Sequence, residues 1–237
     1  MHPIEMLERR QLFAVTLSAV DLAGPVVKGT VHSYLVTNSG AYAGTATETE
    51  YGPVRMNGKT IYKDETTTTG KTGQVGPVTG TYSLLNGKYG QRVYQNTVVG
   101  TGSKSGRTVV GTQFDPAQVS LPASMTSGKT YDSIGTVTES TTVGTAAPTV
   151  KSYAYSVVQS IRAKATNVNT AIGNYRAFVV DTVVTAIVDG IKRTTSIASY
   201  YSVGVGLVKR ISVVAASNST IKVSTEQALI GFKVGRG

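Results

Sequence analysis

Polar and apolar residues alternate along most of this 237-residue chain, which is the period of a β-strand. The longest such run extends from residue 175 to residue 201 and reverses at Asp189-Gly190. An aspartate-glycine pair suits a two-residue hairpin turn, because both turn positions need positive φ. The first arm is apolar on both faces, with Phe178 on one and Val179 on the other. We therefore expect it to lie in the middle of a sheet.

Two asparagine-glycine pairs between strand patterns predict two further hairpins, at Asn57-Gly58 and at Asn86-Gly87. The stretch 66–80 is rich in threonine and glycine and is expected to be a mobile loop. The stretch 114–122 carries two prolines and is expected to be irregular. Strand patterns then resume at residue 130 and continue to the C-terminal end.

Two glycines, Gly204 and Gly206, interrupt the strand pattern between Tyr200 and Arg210. No helical pattern follows them, so no helix dipole would aim at a phosphate. Glycine inside a strand usually marks a bend or a bulge. We expect both glycines to serve the fold rather than a ligand.

The composition favours an all-β fold, since charged residues make up only 15% of the chain and Thr, Ser, Val and Gly take their place. We predict a single β domain over residues 29–237. Its large curved antiparallel sheet would form an open or half barrel. Two similar halves, 29–113 and 123–237, are a second interpretation of the same pattern, and a β-sandwich is the alternative architecture.

Residues 1–28 are predicted to be an export signal and linker, with a short signal-like helix. Arg9 and Arg10 precede an apolar run over 12–20 that is too short to span a bilayer and has the length of a signal-peptide core. The alternative is an amphipathic first helix that packs on the sheet. The residues Leu7, Glu8, Arg10 and Leu12, with Phe13 in place of a last leucine, resemble the Leu-Glu-x-Arg-x-Leu-Leu signature of exported planctomycete-type proteins. That resemblance implies an exported protein of the periplasm, the cell surface or the extracellular space.

The formal net charge is +10 and the pI is about 9.7. The basic residues are spread along the chain, without a basic helix, so we expect a diffuse positive surface rather than a specific nucleic-acid site. The absence of cysteine excludes disulfides and thiol catalysis. We expect no transmembrane span in the mature chain, and the sequence does not indicate an oligomeric state.

Candidate catalytic residues are few. Histidine occurs only at His2 and His32, and a histidine in a strand is usually a packed or surface residue. Glu48 and Glu50 share one strand face and could approach a common ligand, but two solvated residues are the simpler interpretation. The Gly-Lys-Thr at 70–72 lacks the earlier glycine of a phosphate-binding loop. We expect a non-enzymatic protein that uses no cofactor and no metal.

Thirteen tyrosines and no tryptophan are a further feature of the chain. Tyrosine can line a groove for an amphipathic ligand or can pack across strands. The residues predicted to contact a ligand are Tyr153, Tyr155, Phe178 and Tyr200. Because Tyr200 and Tyr201 are adjacent in an extended strand, at most one of them lines a concave surface.

Four segments together resemble a group of uncharacterised bacterial envelope domains. They are Leu121-Pro122, Ser127-Gly128-Lys-Thr-Tyr131, the block 173–178 and Tyr200-Tyr-Ser-x-Gly-Val-Gly-Leu-Val-Lys209, although Ser202 and the lack of a nearby tryptophan depart from the pattern. Such domains resemble the half-barrels of periplasmic lipoprotein carriers, which implies a lipid-like or other apolar ligand, or an envelope component, as partner. The alternative is a structural or adhesion surface module without a ligand cavity.

Overall fold

A computed structural model describes residues 14–24, 27–39, 41–56, 58–84, 91–100 and 107–236. Nearly all of these residues lie in β-strands, so the all-β prediction is confirmed. The elements in chain order are β1 (Thr16–Ser18), α1 (Ala19–Ala23), β2 (Val31–Asn38), β3 (Ala41–Met56), β4 (Lys59–Gly70), β5 (Val75–Leu84), β6 (Gln91–Val99), β7 (Thr108–Val119), β8 (Ser124–Thr126), β9 (Thr130–Val143), β10 (Thr149–Ile161), β11 (Thr166–Thr170), β12 (Gly173–Val188), β13 (Ile191–Ser202), β14 (Gly206–Ala216) and β15 (Val223–Lys233).

Twelve of these strands form one antiparallel barrel. The strands β2 to β7 follow one another, β7 pairs with β9, β9 with β10, and β12 to β15 return to β2. The barrel closes because β10 pairs with β12 as well as with β9, for instance through Val157 opposite Val184. The sheet was predicted to form an open or half barrel, with a β-sandwich as the alternative. Both predictions were wrong in this respect, because the barrel is closed. Among the described residues, all strands of the stretches 29–113 and 123–237 except β8 belong to this one sheet.

The hairpin at Asp189-Gly190 is confirmed. Val188 pairs with Ile191 across it, and the two turn residues have φ of 51° and 76°. The turn between β3 and β4 contains Gly58 at a φ of 76°, whereas Asn57, Asn86 and Gly87 lie outside the described residues.

The stretch 66–80 is not a loop over its whole length. The four threonines at 66–69 belong to β4, where Thr67 pairs with Thr47, and β5 begins at Val75. The branched Cβ of threonine suits an extended strand, and this preference outweighs the turn tendency of the intervening glycines. Likewise β7 continues through the proline-marked stretch as far as Val119.

The first described residues pack against the barrel. Strand β1 pairs with β8, and a reciprocal capping box between Ser18 and Asp21 starts α1. Leu22 is fully buried in a cluster with Met125 and Val180. Leu17 and Ala19 of the apolar run pack in the same cluster, as in the first-helix alternative. The export signature lies in residues 1–13, outside the described part, and stays a prediction. No described helix has the length and hydrophobicity that a membrane crossing requires.

Candidate functional site

The inward faces of the strands enclose a cavity of about 320 Å³. It is bounded by β6, β7, β10, β12, β13 and β14, which places it in the lumen of the barrel. Its apolar walls include Val157, Val180, Val184 and Ile197, and its polar walls include Gln95, Gln118, Gln159, Tyr201 and Arg210. The lumen therefore combines aliphatic surface with a few side chains that can fix the orientation of a bound molecule.

Arg210, on β14, is the single charged side chain among the described residues that line this cavity. Arg210 as a whole is half-buried, its Nε is buried, and the residue borders the lumen. Burial disfavours its charge, but the neighbouring Tyr201 and Glu48 outweigh that effect and raise the pKa of Arg210 above its ordinary value. Arg210 also donates a hydrogen bond to the Tyr201 hydroxyl. The site therefore contains a permanent cation.

Three carboxyl groups lie on the neighbouring wall of β3 and β4. Glu50 pairs directly with Asp64, and Glu48 is two residues away on the same face. Burial, together with the charges of Asp64 and Glu48, raises the pKa of Glu50 to about 8. At neutral pH Glu50 therefore holds a proton. The two glutamates are half-buried, so the simpler expectation of two solvated residues is corrected.

A second cavity, of about 520 Å³, adjoins the first. Pro122, Ala123 and Tyr131 contribute to its mainly apolar wall. Both cavities share Val119 and Gln159 as lining residues. The Nε2 of Gln159 donates to the carbonyl oxygen of Ser120 at 2.7 Å, which fixes the amide at the boundary between the two cavities. The two spaces therefore lie side by side, with Val119 and Gln159 between them.

The four residues predicted to contact a ligand are placed in three separate packing clusters. Tyr155 is buried against Phe114 in an edge-to-face pair, donates to the carbonyl oxygen of Pro116 at 3.1 Å, and has Tyr153 in the same cluster. Phe178 packs in the cluster that contains α1. Tyr200 packs beside another cluster, around Val168 and Ala177.

The tyrosine that lines the lumen cavity is Tyr201, the neighbour of Tyr200. The sequence argument that only one of this pair faces a concave surface is consistent with that placement. Arg210 and Gln159 were not singled out from the sequence. Because successive side chains of a strand point to opposite faces, one of Lys209 and Arg210 must face inward, but the sequence does not say which. In the structure Lys209 faces outward, and its Nζ lies 2.8 Å from the Oε1 of Glu226.

His32 is packed, as expected for a histidine in a strand. Its Nε2 lies 2.9 Å from the carbonyl oxygen of Val205, and its ring centroid is 4.8 Å from that of Phe232. In the part of the chain that the structure describes, no group of three or more His, Asp or Glu side chains is arranged to hold a metal ion. The local partners of His32 are those of a structural residue.

The glycines assigned to the fold occupy turns and close contacts. Gly204 lies in the turn between β13 and β14 with a φ of 81°, and Gly206 begins β14 with a φ of 96°. Opposite them, the register of β13 and β14 shifts between Tyr200 and Tyr201, which is the bulge expected near these glycines.

Comparison with known proteins gives one likeness of fold. A candidate lipoprotein from Parabacteroides distasonis, known from its crystal structure, aligns over 90% of this chain and 100% of its own, with 13% sequence identity and a TM-score of 0.48. No protein-family model matches the chain. No curated protein matches it either. At this level of similarity the likeness does not establish a family or an activity.

Proposed function

We propose that this chain is a non-enzymatic exported or envelope protein whose barrel lumen binds a lipid-like or other apolar ligand. The observation that carries the proposal is the cavity of about 320 Å³ inside the closed barrel, with aliphatic walls and a few fixed polar groups. A volume of this size lies at the lower end of the roughly 300–1,000 Å³ range of small-molecule sites.

The architecture supports a ligand in this place. A barrel of about eight strands is filled by side chains or holds one small ligand, and wider barrels leave more interior space. Here twelve strands close the barrel, and Val157, Val180 and Val184 present methyl groups to the lumen. Apolar surface that a ligand removes from water at these walls contributes about 25 cal/mol per Å². The adjoining second cavity extends this apolar surface toward the outside.

The non-enzymatic part of the proposal rests on the partners of the few candidate catalytic groups. His32 is engaged by the carbonyl oxygen of Val205, and Glu50 holds a proton at neutral pH because of its neighbours. An activated nucleophile needs a nearby base that hydrogen-bonds to it, and no such bond from a serine or threonine to His32 or Glu50 is seen among the described residues. Export rests on the signature at residues 7–13.

A second candidate is a structural or adhesion role through the outer wall of the barrel. Val158 pairs with Val183 on the outer face of β10 and β12, and Ile134 stands one strand away with 74% of its surface exposed. Asp132, directly opposite Val158, and the ion pair between Arg162 and Asp181 border this apolar patch. Such a face suits contact with another protein.

A substitution pair on β12 tests the ligand proposal. Val184 lines the lumen and Val183, its neighbour, faces outward. The chain has no native tryptophan, so Val184→Trp both fills the cavity and reports on it by fluorescence. We expect delipidated wild-type protein to take up a fluorescent fatty acid, Val184→Trp to bind it at least tenfold more weakly, and Val183→Trp to bind it as the wild type does. Failure of the wild-type protein to take up the probe would refute the proposal and favour the structural role.

Export and the native ligand are tested on protein purified from its own host. Intact-mass measurement under native conditions should show a chain shortened at its N-terminus and a co-purified small molecule. Since β1 pairs with β8, and Leu17, Ala19 and Leu22 pack in the core, we expect any cleavage to fall before β1. A full-length N-terminus on protein recovered from the cytoplasm would contradict the export proposal.

A further inference from the structure

The guanidinium of Arg210 has more hydrogen-bonding capacity than its protein neighbours use. Its Nε is buried, and among the described residues it has no hydrogen-bond partner. Arginine presents five N–H donors in a planar fork that matches two oxygens of one anion. A buried donor without an acceptor is unfavourable, and native structures seldom tolerate one without a reason.

The charges around Arg210 are arranged unevenly. Glu48, Tyr34 and Tyr201 are the titratable groups that act on the guanidinium. Glu48 belongs to the wall of β3, outside the set of residues that line the cavity, whereas Arg210 borders the cavity itself. Toward the cavity the described lining therefore offers one positive group and no carboxylate. An anion placed there would meet a cation in a largely enclosed site, where water screens the attraction little.

The neighbours of Arg210 also suit an oxyanion. Ser199 is its direct cross-strand partner, and both Ser199 and Tyr201 line the same cavity. Their hydroxyl groups are donors that can rotate toward a second oxygen. A modest rotation of the guanidinium would bring Nε and one terminal nitrogen to the same anion, in the bidentate geometry that carboxylates and phosphates accept from arginine.

We infer that the lumen ligand is an amphiphile with an oxyanion head, a carboxylate or a phosphate, which Arg210 binds while the apolar body extends past Gln159 toward the second cavity. This inference rests on the proposed ligand-binding function and adds the chemical class of the ligand. It also gives the ligand a direction, with the head among β13 and β14 and the tail toward Pro122 and Tyr131.

The test compares three ligands with the same twelve-carbon chain and different heads, namely dodecanoate, dodecyl phosphate and dodecanol. Each is titrated into delipidated full-length protein at pH 7 and 0.15 M salt, with displacement of a neutral fluorescent probe as the readout. We expect at least one of the two anions to bind the wild type tenfold or more tightly than dodecanol. The stronger of the two identifies the head group.

The substitution Arg210→Met should abolish this preference by weakening anion binding at least tenfold while leaving dodecanol unchanged. Lys209→Met, on the same strand but facing outward, is the matched control and should keep the preference. If Arg210→Met does not fold, the comparison of heads on the wild type and on Arg210→Lys still decides the question, because Arg210→Lys keeps the charge and should keep a reduced preference.

The outcomes separate the two proposals. Equal binding of dodecanol and both anions by the wild type would overturn the oxyanion head and leave the ligand-binding lumen intact. Binding of none of the three, with no displacement of the probe, would overturn both. A tenfold preference that survives Arg210→Met in folded protein would show that another group binds the head and would also overturn the inference.

Discussion

Gly206 and Ala23 approach each other so closely that a Cβ built on the glycine would lie 2.6 Å from the carbonyl oxygen of Ala23. The same closeness is found from the other side, because a Cβ built on Gly24, at the end of α1, would lie 2.6 Å from the backbone of Val205. The end of α1 and the turn between β13 and β14 thus meet backbone to backbone. The N-terminal helix and the glycine-rich turn form one structural unit.

We predict that Gly206→Ala destabilises the protein more than Gly204→Ala does. Both glycines have positive φ, but a Cβ on Gly204 would meet nothing within 4 Å. Gly204→Ala should therefore cost only the backbone strain, about 1 kcal/mol, and Gly206→Ala about 2–4 kcal/mol because a backbone clash is added. Urea denaturation of the two variants measures the difference. Equal losses would show that α1 does not dock on this turn in solution.

We predict that Leu22→Ala lowers the free energy of unfolding by about 2–4 kcal/mol, since the side chain is fully buried and its removal leaves a cavity. The matched control is Leu35→Ala on the outer face of β2, where the side chain is 38% exposed and the loss should stay below about 1 kcal/mol. Thermal and urea unfolding provide the comparison. Similar small losses for both variants would mean that α1 is not part of the core.

The raised pKa of Glu50 predicts a stability that falls as the pH rises. Below about pH 4.5 the carboxyl is protonated in both the folded and the unfolded state. Between about 4.5 and 8 the unfolded chain releases this proton while the folded chain retains it, so folding is progressively disfavoured. Above about 8 both states are ionised and the loss is complete.

Glu50→Gln should remove this dependence. We expect the variant to be more stable than the wild type at pH 8 by about 1–2 kcal/mol, a fraction of the roughly 1.4 kcal/mol per pKa unit that full burial would give, because Glu50 is only half-buried. At pH 4 the two proteins should be equally stable. Urea denaturation from pH 4 to 9 measures this, with Glu65→Gln on the outer face as control. Parallel curves for Glu50→Gln and the wild type would contradict the prediction.

Tyr155→Phe and Tyr201→Phe should separate packing from binding. Tyr155→Phe removes the hydrogen bond to the Pro116 carbonyl and should cost about 1 kcal/mol of stability without changing fatty-acid uptake. Tyr201→Phe removes the hydroxyl beside Arg210 and should weaken uptake severalfold. Probe titration together with denaturation of each variant tests both statements. If Tyr155→Phe lost uptake and Tyr201→Phe did not, the ligand would lie at the tyrosines predicted from the sequence and not in the lumen.

The local signal at Asp189-Gly190 predicted the structure correctly, whereas the glycines of 66–80 and the prolines of 114–122 did not interrupt the strands as predicted. The hairpin at Asp189-Gly190 depends on residues in direct succession, and its register follows from the turn itself. The closure of the barrel could not be obtained in this way. It depends on β10 pairing with β12 and on β15 pairing with β2, and the alternation along a strand is the same whether or not its far neighbour exists.

The site was harder to predict than the fold for the same reason. Tyrosines attracted attention because of their number, yet Tyr153 and Tyr155 complete a packing cluster and Tyr201 borders the lumen. The charge of Arg210 is stabilised by Glu48, which lies on a strand far away in the sequence. Such a juxtaposition exists only once the barrel has closed.

Closure of the sheet also bears on aggregation. A strand whose backbone N–H and C=O groups face solvent is a template for pairing with other molecules, and a closed barrel removes such templates from its wall. In this barrel β2 pairs with β3 along one edge, and its other edge is covered only when β15 has been synthesised. Until then that edge remains unpaired in the nascent chain, so β15 protects β2 against amyloid-like assembly.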